Sequence, residues 1–274
     1  MDLKKKFEGK SVLITGASSG IGAALAREFA KMGAKVALAA RRLDRLEALN
    51  RELTSLGRSS VVLECDVTRE GDVESAARRT RESFGKIDIV VANAGYGVVG
   101  NVEGISLTDF SNQFETNVFG VLRTFYATYE DLKRSRGTLV LLGSVASYIS
   151  LPGAAPYSMS KFAVRALARA LREELKPHGI SVVLISPGFV ESDIRRVDNL
   201  GKLHPESEDP LPHWIKMPAE TAARKILAAV ARKKPEEIIT FHGKLAVWIE
   251  RHFPKLISYF AGRGAKGRPE PGRD

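Results

Sequence analysis

The chain of 274 residues has one cysteine, Cys65, which excludes an internal disulfide and fits a reducing compartment. Cys65 closes a strand pattern with no histidine near it in sequence, so it reads as a small buried apolar residue rather than a nucleophile. The five histidines (His178, His204, His213, His242 and His252) show no metal-ligand spacing, and no metal is expected. No apolar run approaches the ~18 residues of a membrane-spanning helix, and Met1-Asp2-Leu3-Lys4-Lys5-Lys6 lacks the apolar centre of a signal peptide, which makes a cytoplasmic location the expectation. No internal repeat is visible. Aromatic residues are sparse at 7% and are not interleaved with the basic clusters that give the formal charge of +10. That charge is spread over residues 4–6, 41–58, 78–81, 195–196, 232–234 and the C-terminal tail, without a nucleic-acid-binding motif. Solvated helix faces account for most of it, no nucleic-acid partner is expected, and attraction to an anionic substrate or membrane surface stays open.

With 44% hydrophobic residues, the chain can bury a substantial core. Strand patterns near 11–15, 35–40, 60–65, 87–92, 138–143, 181–186 and 237–241 alternate with helical ones. That alternation implies a single α/β domain with a parallel, doubly wound sheet and right-handed crossovers.

Lys10-Ser11-Val12-Leu13-Ile14 runs directly into Thr15-Gly16-Ala17-Ser18-Ser19-Gly20-Ile21-Gly22 and then into a helical run beginning at Ala23. Strand, glycine turn and helix in that order are the Rossmann-type dinucleotide-binding context. Gly16 permits the sharp exit from the strand, Gly20 lets backbone approach a pyrophosphate, and Gly22 lets the helix pack closely, while the helix N-terminus offers orphan N–H groups. The next strand, Lys35-Val36-Ala37-Leu38-Ala39-Ala40, ends in Arg41-Arg42, where an NAD-binding unit carries an acid for the ribose hydroxyls. A pair of arginines instead suits a 2′-phosphate and points to NADP(H); the competing reading is a solvated start to the helix at Leu43.

Tyr157 and Lys161 lie four residues apart in a helical pattern, which sets a phenol and an ammonium on one face. A free tyrosine titrates near ~10, so it works as an acid or base at neutral pH only if a neighbouring cation steadies the phenolate.

Thr15-Gly16-x-x-x-Gly20-x-Gly22, Asp66 in Cys65-Asp66-Val67, Asn93-Ala94-Gly95, Asn117, Ser144, Tyr157-x-x-x-Lys161 and Pro187-Gly188 follow one another at intervals that resemble the short-chain dehydrogenase/reductase family, over roughly residues 7–240. The resemblance implies an NADP(H)-dependent enzyme acting on CH–OH and C=O groups, with Asn117, Ser144, Tyr157 and Lys161 catalytic. It places Asp66 and Val67 beside the adenine, and Asn93, Ala94 and Gly95 beneath the cofactor. Ser18, Ser19 and Ile21 join the glycines, while Tyr157, Lys161, Pro187, Gly188, Val190 and Ser192 complete the cofactor contacts. Ser144 would bond the substrate oxygen, with Tyr148 and Tyr157 beside it, and Asn117 would hold a water in a relay to Lys161. Two positions depart from the family pattern: Ala92 replaces the first Asn of Asn-Asn-Ala-Gly, and Ser192 replaces a Thr while keeping its hydroxyl.

The family places substrate between residues 148–155, 95–99 and the segment after Pro187-Gly188, linings that are mostly apolar here. A small apolar carbonyl or alcohol, lipid-like, steroid-like or xenobiotic, is therefore expected. Residues 190–218 read as a lid, with a plain loop as the alternative. The catalytic unit spans 1–243, followed by an amphipathic helix over 244–260 that breaks near Pro254 and a disordered tail over 261–274. That helix expects protein packing or a peripheral membrane contact. A homodimer or homotetramer is expected through the Tyr157 helix, where Phe162, Val164, Leu167 and Leu171 are apolar, and a long helix near 109–134. The competing function is an NADP(H)-binding regulatory or membrane-docking protein with little catalysis.

Overall fold

Short runs of Val, Ile, Leu and Ala build the centre of the fold, because a parallel strand covered on both faces buries successive side chains to opposite sides. The computed structural model describes residues 2–204 and 206–257. Its strands β1 (Ser11–Thr15), β2 (Lys35–Ala40), β3 (Ser60–Glu64), β4 (Ile89–Ala92), β5 (Thr138–Leu142), β6 (Ser181–Ser186) and β7 (Glu236–Ile238) form one sheet in the order β3-β2-β1-β4-β5-β6-β7. Every pairing in it is parallel. The helices are α1 (Leu3–Phe7), α2 (Gly20–Lys31), α3 (Leu43–Ser55), α4 (Asp72–Phe84), α5 (Leu107–Phe114), α6 (Gly120–Ser135), α7 (Ala155–Leu175), α8 (Ala219–Ala231) and α9 (Phe241–His252).

The strand period of two divides the core. Val12, Ile14, Val36 and Leu38 face Phe29 of α2, Leu46 and Leu49 of α3, and Ile226 of α8. Leu13, Ala37, Val90 and Leu139 face Ala76 of α4, Phe125 and Leu132 of α6, and Val164 and Leu171 of α7. Strand order reverses between β1 and β4, so the carboxyl ends of those strands open onto a crevice, the usual ligand position in such sheets.

Several boundaries differ from expectation for local reasons. At the base of β4, the Asp88 carboxylate accepts the Ser11 N–H (3.0 Å) and pairs with Lys10 and Lys86 (3.0 and 3.2 Å), so the regular strand begins only at Ile89. β7 ends at Ile238 because Thr240 turns out of the sheet to cap α9, its hydroxyl accepting the Gly243 N–H. α9 therefore starts before residue 244, and it stops ahead of Phe253 and Pro254, the break expected from the restricted residue before a proline. Phe260 and the 261–274 tail lie outside the described residues. The helix expected near 109–134 is two helices, α5 and α6, joined by a π-helical turn over Glu115–Phe119. Among the described residues no helix is long and apolar enough to cross a membrane.

Candidate active site

Strand β1 hands the chain to α2 through Gly16 and Gly20, both at positive φ (+69° and +51°), a region L side chains rarely adopt. A Cβ on Gly22 would fall 2.3 Å from the Gly16 carbonyl oxygen and 2.7 Å from Asn93 Nδ2, so only glycine closes this turn. Asn93 Nδ2 in turn donates to the carbonyls of Thr15 and Gly16 (3.0 and 3.1 Å), tying the end of β4 to the glycine loop. The result is a groove of about 390 Å³ bordered by Gly16, Ser18, Ser19, Gly20, Ile21, Gly22, Arg41, Arg42, Asp66, Val67, Asn93, Ala94, Gly95 and Ser192. An open, backbone-lined cradle at a helix N-terminus fits a dinucleotide pyrophosphate. Pro187, Gly188 and Val190 lie on the segment leaving β6, where the Pro187 carbonyl accepts the Val145 N–H (2.8 Å).

At the end of β2, Arg42 donates to Ser18 Oγ (2.9 Å) and Ser19 Oγ (2.6 Å), while Arg41 reaches the Gly201 carbonyl (3.4 Å) and approaches Asp66 (3.9 Å). Asp66 also anchors its own turn, accepting from the Thr68 N–H and hydroxyl (3.0 and 2.8 Å). Cys65 beside it is buried, and burial with the neighbouring acids pushes its thiol up to about 12, which leaves it unreactive.

Across the groove, α7 presents Tyr157 and Lys161 on one face, with the Lys161 nitrogen 5.7 Å from the centre of the Tyr157 ring. Lys161 donates to the Leu142 carbonyl (2.9 Å), and burial lowers its ammonium to about 8. Enclosure raises the Tyr157 phenol, while the Ser144 hydroxyl and the charge of Arg195 act in the opposite direction. Burial outweighs these groups, so the phenol lies above its ordinary range rather than below it as expected from the neighbouring Lys161, whose ammonium is 5.7 Å from the ring centre and bonded to the Leu142 carbonyl. Ser144 Oγ accepts the Ala146 N–H (3.1 Å), which leaves its own O–H to donate. Asn117 sits in the π-helical turn, a frequent device at functional positions. Its Oδ1 accepts from the Tyr96 N–H (3.1 Å), and its Nδ2 donates to the Tyr96 carbonyl (3.0 Å) and Ser160 Oγ (3.1 Å). Ser160 in turn donates to the Tyr157 carbonyl (2.7 Å), so Asn117 is coupled to the tyrosine through a residue that sequence reasoning missed.

Tyr148 is placed differently from its expected substrate contact. Its hydroxyl donates to Glu236 (2.8 Å) and its ring lies 4.1 Å from the Arg165 guanidinium, on a second pocket that Trp248 and Arg251 also border. Burial pushes its phenol up to about 12. Glu236 is 88 residues away in sequence, so no spacing signal announces the pair.

The segment expected as a lid crosses the groove. Asp193, Ile194, Val197, Gly201 and Leu203 border it, and Asn199 bonds both the N–H and the carbonyl of Val99 (3.0 Å each). Further along, Asp209 holds Arg195 (2.7 Å) and Lys216 (2.9 Å), and these cations keep its carboxyl well below the usual range. Among the described residues no cluster of His, Cys, Asp and Glu could hold a metal.

A doubly wound sheet whose glycine turn and Tyr-Lys helix flank one crevice defines a dinucleotide-dependent oxidoreductase. Residues 10–202 match the family model for short chain dehydrogenases, and the chain belongs to the short-chain dehydrogenase/reductase family, enzymes that act on CH–OH and C=O groups. It is 34% identical to 11-beta-hydroxysteroid dehydrogenase A of Sesamum indicum over 264 residues, 92% of this chain and 74% of that protein. An alcohol dehydrogenase from the archaeon Thermococcus sibiricus, solved with 5-hydroxy-NADP, superposes with a TM-score of 0.74 at 31% identity, over 84% of this chain and 95% of that one. A short chain dehydrogenase/reductase from Burkholderia phymatum, solved with NAD, shares the fold with a TM-score of 0.82 at 24% identity, over 98% of this chain and 99% of that one.

Proposed function

We propose that the protein is an NADP(H)-dependent reductase of apolar ketones, working in reverse as a secondary-alcohol dehydrogenase. The observation that carries this reading is a groove with arginines where β2 ends and Gly95 at its border, where a Cβ would lie 3.7 Å from Lys161 Nζ and 2.9 Å from Asn117 Oδ1, with the Tyr157 ring against the neighbouring Gly97. Bound NADPH would supply the hydride. As negative charge builds on the carbonyl oxygen, Tyr157 gives up its phenolic proton to it and Ser144 donates a hydrogen bond to the same atom. The Lys161 ammonium steadies the phenolate left behind and offers its remaining N–H bonds to the nicotinamide ribose. Tyr96 and Ser160 take both N–H bonds of the Asn117 amide and one lone pair of its Oδ1, which leaves the second lone pair of Oδ1 to accept from the water of the relay.

Exposed Val99, Leu151, Phe189, Leu200 and Trp214 favour an apolar substrate, and the hydroxysteroid dehydrogenase similarity supports that choice. A panel of ketones and secondary alcohols, assayed by nicotinamide absorbance with each cofactor, tests the reading. Turnover of apolar ketones with NADPH and much less with NADH supports it; turnover of polar sugars alone, or equal use of NADH, rejects it.

The Lys161 charge is present below about pH 8 and lost above it. Reduction should therefore hold a plateau at neutral pH and decline as the pH rises through about 8, measured as kcat/KM with saturating NADPH. A rate still climbing above that point would remove Lys161 from the mechanism.

A homodimer is proposed through α6 and α7, although not through all the residues first expected. Val164 and Leu171 are buried in their own subunit, whereas Phe119, Tyr126, Met159 and Phe162 stay exposed. Light scattering should give a dimeric or tetrameric mass, and Phe162→Asp should lower it. A monomeric wild type would refute the interface.

α9 keeps Phe241, Leu245 and Trp248 exposed, with Phe253 and Leu256 just beyond it, and Lys244, Arg251 and Lys255 close by. This composition suits an anionic bilayer surface, where aromatic rings and basic charges act together. The protein should float with vesicles containing anionic lipid and lose that fraction when Trp248 and Phe253 are changed to Ser. Absence of any lipid-bound fraction would leave a second subunit as the cover.

A further inference from the structure

Arg42, at the end of β2, and Arg45, in the first turn of α3, already hold an anion. Asp193, the first residue of the lid beyond Ser192, places Oδ2 2.6 Å from Arg45 NH1 and 3.5 Å from Arg42 NH1, and its Oδ1 takes a hydrogen bond from Arg196. Arg42 spans two partners at once, the glycine-loop serines on one side and Asp193 on the other. Its guanidinium is pressed downward by burial and by the neighbouring charge of Arg45, and Asp193 offsets part of that. Asp193 is itself pushed up by burial, yet the hydrogen bonds from Arg45 and Arg196 hold it below the usual carboxylate range. The carboxylate is thus the counter-ion that a crowded pair of cations requires.

Its position has consequences for the lid. Asp193 sits on the same groove as Ser18, Ser19, Arg41 and Arg42, and the segment it begins continues through Ile194, Val197 and Gly201 along that groove. Gly201 is tied to Arg41, the other arginine of the pair. A dianionic phosphate at the end of β2 would need the same N–H donors that Asp193 now occupies, and it outbids a single carboxylate for them through its greater charge and third oxygen.

We propose that Asp193 is a specificity-determining residue that occupies the seat of the cofactor 2′-phosphate, so that a 2′-phosphorylated adenosine displaces the carboxylate from Arg42 and Arg45 and releases this end of the lid. An adenosine without that phosphate leaves the clasp closed. Discrimination between the two nicotinamide cofactors is thereby coupled to lid position as well as to direct contact. This inference rests on the NADP(H) reading above, and the two can fail separately.

The test uses the full chain with 2′,5′-ADP and 5′-AMP, adenosine fragments that differ in the 2′-phosphate and carry no reactive ring. Binding is measured by calorimetry and lid backbone exposure by hydrogen exchange over residues 194–203. Wild type should bind 2′,5′-ADP more tightly than 5′-AMP, and exchange in the lid should rise with the first and not the second. Asp193→Asn, close to isosteric, should bind 2′,5′-ADP about three- to ten-fold more tightly than wild type, the size of two partly exposed ion pairs, with 5′-AMP nearly unchanged. Its lid should exchange rapidly before any ligand is added. If wild type does not prefer 2′,5′-ADP, the NADP(H) reading falls and this inference with it. If it does prefer 2′,5′-ADP but lid exchange is unchanged or reduced, the cofactor reading stands and the displacement is wrong.

Discussion

Tyr157→Phe should lower turnover by about 10²- to 10⁴-fold while NADPH affinity stays nearly constant. The substitution keeps the ring that packs against the 95–99 turn, where a Cβ on Gly97 would lie 3.5 Å from Tyr157 Cδ2, and removes only the hydroxyl. The cost is therefore confined to proton transfer at the carbonyl oxygen. Lys161→Ala should fall on both quantities, because in the proposed mechanism its ammonium would steady the phenolate and hold the cofactor ribose. Steady-state kinetics on a ketone found by the substrate panel, with cofactor titration alongside, separates the two effects. A Tyr157→Phe enzyme with near-normal turnover would assign the proton to another donor.

Arg41→Ala should weaken NADPH binding by about ten- to one-hundred-and-fifty-fold, the range for one hydrogen bond to a charged group, with NADH binding hardly moved. That change should be more selective than Arg42→Ala, since the contacts of Arg41 among the described residues are the Gly201 carbonyl and the half-buried Asp66 carboxylate. Arg42→Ala should also weaken NADH, because Arg42 holds Ser18 and Ser19 of the glycine loop in place. Fluorescence titration of each cofactor decides the matter. Equal losses for NADPH and NADH in Arg41→Ala would show that it supports local structure rather than reading a phosphate.

The parts of this site that the sequence makes legible are those encoded by short-range spacing. Gly16, Gly20 and Gly22 sit within seven residues of one another, and the requirement each meets, positive φ or close backbone approach, belongs to its own turn. Tyr157 and Lys161 are one helical turn apart, so the helix alone brings them together. The strands follow from apolar runs, and only their ends moved, where Asp88 and Thr240 use side chains to redirect the backbone.

What spacing cannot encode is a contact between distant side chains. Arg45 meets Asp193 across 148 residues, and Tyr148 meets Glu236 across 88, so the anchoring of Asp193 and the orientation of Tyr148 emerge only once the sheet is assembled. The same limit affects α7. Its apolar positions divide between an inward face carrying Val164 and Leu171 and an outward one carrying Met159 and Phe162, a division the apolar pattern alone does not reveal. The π-helical turn at Asn117 is likewise silent in sequence, since it leaves the helical composition of residues 107–135 unchanged.

The central claim, that this crevice transfers a hydride from NADPH to a carbonyl carbon with Tyr157 as the acid, is tested most directly by isotope transfer. NADPH carrying deuterium at the reactive position of the nicotinamide is incubated with the protein and an apolar ketone, and the alcohol product is examined by mass spectrometry. The account predicts one deuterium on the carbinol carbon with wild type and a rate of labelling about 10²- to 10⁴-fold lower with Tyr157→Phe. Alcohol formed without the label, or labelling at the wild-type rate in Tyr157→Phe, would contradict it.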